Sequence, residues 1–277
     1  MRIALTGASG FIGTALRPAL SAAGHRIAAL DLRHGRVELG DAEAVVHLAA
    51  IAHRARPGAD LQRVNVELAA QVGRAAASCG ARMIFLSSSK VHGDSASEPL
   101  RETSPIAPQD AYGESKVRAE TALRSIEGLR LTVIRPPLVY GPGVKANFLA
   151  LMRAIARGWP LPLASIVNRR SLIYVGNLAH ALERCLQLPA AQGRTYLVSD
   201  GAPLSTPELC TRIGEALNSR ARLFRFPPSA LGLLPGATRL TRSLQLDDAA
   251  IRAELGWQPP FSLSEGLRAT AQWYLGR

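Results

Sequence analysis

Tyr112 and Lys116 stand four residues apart, so on a helix they share one face, one turn apart. A free phenol titrates near pH ~10 and is a poor acid–base at neutral pH, but a neighbouring ammonium favours its phenolate. Lowering that pKa by about three units takes roughly 4 kcal/mol, within reach of a lysine and an oxidised nicotinamide in a partly desolvated pocket. Ser88 follows an apolar strand at 83–86 and can hydrogen-bond a substrate oxygen. Together the three suit moving a proton on or off a carbinol oxygen while hydride moves at its carbon. Taken alone, Tyr-x-x-x-Lys is an ordinary solvated pair. The N-terminal stretch changes that reading.

Residues 1–31 read as apolar strand, glycine turn, helix, apolar strand and terminal acid. Gly7, Gly10 and Gly13 have the spacing G-x-x-G-x-x-G. Gly7 permits the tight turn, Gly10 leaves room for a phosphate, and Gly13 lets the helix approach the strand. The helix opening at Phe11 and Ile12 offers free N–H groups and a partial positive charge to a pyrophosphate. Asp31 lies 24 residues after Gly7, where a carboxylate accepts hydrogen bonds from an adenosine ribose. A dinucleotide site is expected, with NAD first. Arg33 and Arg36, just past Asp31, could meet a 2′-phosphate and keep NADP open.

The elements that must position these residues follow. Only twelve residues separate Asp31 from the strand at 44–48, so one element of the usual doubly wound sheet is trimmed. That strand ends in His47-Leu48-Ala49-Ala50, whose small residues let a cofactor lie across the sheet. A helix over 60–79, closed by Gly80, carries Asn65, either a surface polar residue or a brace for the site. Residues 93–110 read as a loop over the site, and the strand at 131–135 is stopped by Pro136-Pro137. Further on, helices are expected near 147–157, 177–188, 247–255 and 264–274, with a strand at 195–198. Another helix starts at Ser205-Thr206-Pro207-Glu208, and an irregular apolar loop fills 226–238. The fold class is α/β: a doubly wound parallel Rossmann sheet (1–143 and about 172–190) with a smaller α/β C-terminal cap (about 144–171 and 191–277) that closes on substrate.

The chain has 277 residues, 47% of them apolar, enough for a sizeable core. Its first strand begins at Arg2, which leaves no room for a signal peptide, and no uncharged apolar run reaches the ~18 residues of a bilayer span. Cys79, Cys185 and Cys210 are scattered, which argues against disulfides or zinc and for a cytoplasmic protein without a metal. The net charge of +12 (33 − 21) admits nucleic acid, an acidic membrane or a polyanionic small molecule as partner. Arginine is spread through the chain without a basic tail or an aromatic RNA-binding signature, so a diphosphate-bearing substrate is preferred.

Five ordered motifs carry a resemblance over nearly the whole chain. They are Thr6-Gly-x-x-Gly-x-x-Gly13, His47-Leu-Ala-Ala50, Ser87-Ser88-x-x-Val91-His92-Gly93, Tyr112-x-x-x-Lys116 and Arg135-Pro-x-x-Val139-Tyr140-Gly141-Pro142-Gly143. With them the chain resembles the extended short-chain dehydrogenases/reductases of the NAD-dependent epimerase/dehydratase group, which act on nucleotide-diphosphate sugars. The resemblance implies that Gly7, Gly10 and Gly13 hold the pyrophosphate, Asp31 the ribose, and Pro136 to Val139 line the nicotinamide pocket. It makes Tyr112 the acid–base, Lys116 its partner and a nicotinamide-ribose ligand, and Ser88 the substrate-oxygen donor. Asn147 and Arg170 would meet the substrate diphosphate, with Arg239 or Arg242 as a second contact and Lys90 beside the sugar.

Two departures stand out. The trimmed stretch after Asp31 alters the adenine contacts, and His92 replaces the family's usual tyrosine in the sugar-pocket floor. Where the related 4,6-dehydratases carry Asp-Glu, this chain has Ser89 and Lys90, which removes the acid and base for water elimination. Reduction of a UDP-4-keto-6-deoxy-N-acetylhexosamine for surface polysaccharide is slightly preferred, with UDP-sugar 4-epimerisation as the alternative. A non-catalytic dinucleotide sensor or RNA-binding relative is a third reading, and a homodimer through the helices at 60–79 and 111–126 is expected by resemblance.

Overall fold

In the computed structural model β1 (Arg2–Thr6) leads through α1 (Phe11–Ala22) to β2 (Arg26–Leu30), and β3 (Ala44–His47) then pairs on the other side of β1. The structure describes residues 1–30, 37–52, 59–231 and 238–277, so the expected roles of Asp31, Arg33 and Arg36 lie outside the described residues, as does the side chain of Arg239. The chain continues through α2 (Ala59–Leu61), a π-helical turn (Gln62–Glu67), α3 (Leu68–Cys79), β4 (Arg82–Leu86), a 3-10 turn (Ser89–His92), α4 (Ala111–Arg124) and β5 (Arg130–Arg135). Next come β6 (Leu138–Tyr140), α5 (Ala146–Ala156), β7 (Pro160–Leu161), β8 (Leu172–Tyr174), α6 (Val175–Gln187) and β9 (Thr195–Leu197). The last elements are α7 (Thr206–Ala216), β10 (Arg222–Leu223), α8 (Pro228–Leu231), α9 (Thr238–Thr241), α10 (Ala249–Leu255) and α11 (Leu263–Leu275).

The main sheet has the order β2-β1-β3-β4-β5-β9, with every pairing parallel. Its central strands are apolar on both faces because helices cover both. Ile3, Leu5, Val46, Ile84 and Ile134 pack with α1, α6 and α10 on one face. Ala4, Val45, Met83, Phe85 and Val133 pack with α3 and α4 on the other. The chain reverses its direction across the sheet at β1, so a crevice opens beyond the C-terminal ends of β1 and β3, where such folds bind ligands. Among the described residues β2 is one edge of this sheet and β9 the other.

A second core joins β6, α5, α7, α8 and α11 around Tyr140, Phe148, Met152, Cys210 and Leu267. Two short parallel ribbons, β6–β8 and β7–β10, frame it. The two cores meet at Asp200, which accepts from Tyr140 Oη (2.9 Å), Tyr174 N (3.0 Å) and Asn177 Nδ2 (2.7 Å). Burial raises the Asp200 carboxyl, opposed by the hydrogen bonds from Asn177, the Tyr174 amide and Tyr140.

Beyond residue 191 the chain returns to the main sheet. β9 pairs with β5 as an edge of the main sheet, and α10 packs with Trp257 into the first core rather than a cap. A strand of three residues carries no sign in its sequence of which sheet it joins. The predicted single helix over 60–79 is also broken, by the π-helical turn at Gln62–Glu67. Gly80 caps it as expected, with φ of 68°.

Gly13 is constrained by space. A Cβ there would come within 2.3 Å of the Gly7 carbonyl oxygen and 2.8 Å of Ala8 backbone atoms, and neither can move without opening the turn. Gly13→Ala is therefore expected to destabilise the protein by about 1–3 kcal/mol, despite alanine's better helix propensity. A urea midpoint equal to or above that of the parent would contradict this packing.

Candidate active site

Each wall of the crevice is held by a specific contact. At the end of β1, Thr6 Oγ1 accepts from Leu48 N (3.1 Å) and Ala49 N (3.2 Å) and donates to His47 Nδ1 (3.0 Å). That assigns the proton of neutral His47 to Nε2. Burial, with Lys116 nearby, lowers His47 to about 3, so it stays neutral. Gly7, with φ of 68°, brings the turn so near the β3 end that a Cβ would lie 2.8 Å from Ala49 N.

The glycine turn fits a pyrophosphate. A Cβ at Gly10 would meet one neighbouring atom, the Gly7 carbonyl oxygen at 3.1 Å, and otherwise open space. The first turn of α1, from Phe11 through Gly13, has neither a side-chain cap nor an acidic residue, so its N–H groups and helix dipole are available to an anion. Ala50 is exposed, Leu48 and Ala49 are half-buried, and Pro136 and Val139 lie past the end of β5.

Tyr112 enters on the first turn of α4, where Asp110 is the N-cap and accepts from Gly113 N at 2.8 Å. A Cβ on Gly113 would lie 2.7 Å from the Lys90 carbonyl oxygen, so glycine lets α4 lie directly against the turn that follows Ser88. Ser88 is half-buried, and its Oγ accepts from Lys90 N at 3.2 Å. Lys116 is 2% exposed; its Nζ donates to Leu86 O at 2.8 Å and lies 4.7 Å from the Phe85 ring centre and 5.8 Å from that of Tyr112. Thus α4 and the end of β4 bring Tyr112, Lys116 and Ser88 to one side of the crevice.

Burial acts on both groups. It raises the Tyr112 phenol well above its usual range, with Asp110 adding to the effect, and lowers Lys116 to about 7.

Asn65 is 1% exposed and is a brace. Its Oδ1 accepts from Ile51 N (2.8 Å), and its Nδ2 donates to Ile51 O (3.1 Å) and Ser115 Oγ (2.9 Å). Ser115 Oγ donates in turn to Tyr112 O at 2.7 Å, so Asn65 ties the loop after β3 to the tyrosine's own turn. The π-helical turn that carries Asn65 aims it inward, which a regular helical pattern does not announce.

A second buried network lies behind the site, and of its members only His92 carries a sequence-based expectation. Arg135 donates to both Glu120 oxygens (3.0 and 2.6 Å), and Ser87 Oγ donates to Glu120 Oε1 (2.6 Å). Arg135 Nη1 donates to His92 Nε2 (3.0 Å), and His92 Nδ1 donates to Pro105 O (3.0 Å), so this ring is neutral with its proton on Nδ1. Burial and the Arg135 charge both lower His92. Burial alone would raise Glu120, yet Arg135 and Ser87 hold it below the usual carboxylate range. The signal for Glu120 was its position one turn beyond Lys116.

The residues expected at the substrate diphosphate are spread along one side of the second core. Asn147 is exposed in the first turn of α5. Arg170 Nη1 donates to Arg242 O at 2.9 Å, and exposed Arg242 is held nearby because buried Asn168 Nδ2 donates to Leu240 O (3.1 Å) and Arg242 O (3.3 Å). Lys90, by contrast, is ion-paired with Asp94 (3.1 Å) and Asp110.

The buried amine yields a signed prediction. With its folded pKa depressed to about 7, Lys116 contributes stability that is present above its unfolded pKa and lost as pH falls toward 7. Lys116→Met should be more stable than the parent at about pH 6, with an advantage that shrinks as pH rises toward about 10. Urea midpoints across that range measure it, and an advantage that grows with pH would refute the buried-amine account.

With the geometry in place, the likenesses to known proteins are informative. The model of the NAD dependent epimerase/dehydratase family matches residues 3–199. UDP-glucose 4-epimerase of Vibrio cholerae is 36% identical, the match covering 99% of this chain and 95% of that protein. The structure of RMD from Pseudomonas aeruginosa complexed with NADPH superposes with a TM-score of 0.80 at 26% identity, covering 100% of this chain and 99% of the other. MoeE5 in complex with UDP-glucuronic acid and NAD shares the fold, with a TM-score of 0.81 at 24% identity over 100% of this chain and 99% of that one. The chain belongs to the NAD-dependent epimerase/dehydratase family and is an NAD-dependent enzyme of the extended short-chain dehydrogenase/reductase type.

Proposed function

We propose that the enzyme performs hydride chemistry at C4 of a UDP-sugar, with 4-epimerisation as the net reaction. The observation that carries the reading is the seating of Tyr112 beside buried Lys116 at the crevice, one side of which is the glycine turn. The chemistry that a bound nicotinamide supplies is reversible acceptance of hydride at carbon. Tyr112 Oη takes the proton of the C4 hydroxyl as that carbon becomes a ketone and returns it on reduction. Lys116 holds a positive charge near that phenol, and the cofactor's own charge, added on binding, opposes the burial that keeps the free phenol protonated. Ser88 Oγ hydrogen-bonds the C4 oxygen and holds it in line with Tyr112. Arg170 and Arg242 meet the diphosphate, where a guanidinium fork matches phosphate oxygens.

The Vibrio cholerae relative, named as a UDP-glucose 4-epimerase, supports both the nucleotide sugar and the C4 position. A water elimination is disfavoured, because Ser89 is buried and Lys90 is committed to two carboxylates. The second reading is net reduction of a UDP-4-keto-6-deoxy-N-acetylhexosamine, which the small cap favours because a reductase has no need to turn a bound keto-sugar.

Incubation with UDP-glucose, UDP-N-acetylglucosamine and the 4-keto-6-deoxy derivative, followed by NADH absorbance and NMR, separates the two. An epimeric sugar without net NADH consumption is expected, and stoichiometric consumption would establish the reductase instead. Tyr112→Phe should lower turnover by about 10²–10⁴-fold while leaving NAD affinity unchanged. Retained turnover would remove Tyr112 from the acid–base role.

A further inference from the structure

We propose that the outer face of the β7–β10 ribbon is a docking surface for an anionic phospholipid bilayer. On β10 the side chains alternate: Leu223 turns toward the second core, whereas Arg222 and then Phe224 are exposed. Trp159, immediately before β7, is 54% exposed, with the Arg157 guanidinium 5.3 Å from its ring centre. Arg222 Nη1 donates to Gly158 O at 3.3 Å, which joins the two halves of the face. From Phe224 to Ala230 seven consecutive residues are exposed, including Arg225, Phe226, Pro227 and Pro228, and only Leu231 after them turns into the core.

The charge around this face has one sign. No aspartate or glutamate occurs between Glu215 and Asp247 or between Glu127 and Glu183, whereas Arg220, Arg222, Arg225, Arg239 and Arg242 fall in the first interval and Arg153 and Arg157 in the second. Among the described residues none of Arg157, Arg222 and Arg225 is in an ion pair. Arginines left uncompensated beside an exposed tryptophan and two phenylalanines match a surface that is anionic at its headgroups and apolar just beneath. None of the exposed residues from Phe226 to Ala230 carries a charge and none besides Phe226 is aromatic, which suits acyl chains better than stacked bases. No helix among the described residues is long and apolar enough to cross a membrane, so the contact is with the surface of the bilayer. β7 leads within ten residues to Arg169 and Arg170, so docking there would set the cap side of the crevice close to the lipid.

The test is co-sedimentation of the full-length protein with vesicles of phosphatidylcholine, alone or mixed with phosphatidylglycerol, at about 150 mM salt. Binding to the mixed vesicles and blue-shifted tryptophan emission are expected, the shift being absent in Trp159→Phe. Each basic side chain at an anionic surface contributes roughly a fivefold effect, so Arg222→Ala with Arg225→Ala should weaken binding by about 25-fold. Phe224→Ala with Phe226→Ala should weaken it as well, and an unchanged thermal midpoint shows that each variant is folded. Absence of binding to the mixed vesicles, equal binding to both vesicle types, or affinity indifferent to these substitutions would overturn the proposal. So would retardation of RNA that depends on the same residues without any vesicle binding.

Discussion

A lysine amine buried beside the crevice is the constraint around which this molecule is arranged. Placing an isolated ammonium in a protein interior costs several kcal/mol, and Lys116 has one hydrogen bond, to Leu86 O, with the face of Phe85 beneath it. The amine is consequently close to losing its proton near neutral pH. Such a group is kept where it is only by the rigid packing of the helix that bears it. The Asp110 cap, the close contact of Gly113 with Lys90 O and the link from Asn65 through Ser115 all fix the first turn of α4. Each acts on the backbone that positions Tyr112 and Lys116 rather than on either side chain.

Behind this turn the protein spends polar groups instead of apolar ones. Ser87, Glu120, Arg135 and His92 form a buried chain in which charge is balanced and every contact has a named donor. The chain crosses from the end of β4 through α4 to β5 and out to Pro105, so it ties down the elements that border the crevice. In a region this short of water, breaking one link strands a charge, and the network resists partial loosening for that reason. The His92 ring is used inside this network, bonded on both nitrogens.

The second core serves a different purpose. It carries Asn147, Arg170 and Arg242, and it is held to the sheet through Asp200 and Asn177, whose side chain also bonds Phe261 N and O. Asn168 performs the same service for the end of the cap, joining Thr206, Leu240 and Arg242. Small polar residues at joints between cores thus hold the backbone that bears Arg170 and Arg242, and none of them touches the reacting atoms in the proposed mechanism.

The glycine turn, the apolar strands, the tyrosine–lysine pair and the capping box at Ser205 and Glu208 were legible in the chain because each is local: a spacing or a cap is complete within one element. The destination of β9, the π-helical turn that aims Asn65 inward and the Glu120–Arg135–His92 chain were not, since each depends on partners 14 to 62 residues away. Burial shifts the Tyr112 phenol up and the Lys116 amine down, which their proximity alone does not announce. Desolvation is a property of everything packed around a group, and a spacing of four residues cannot contain it.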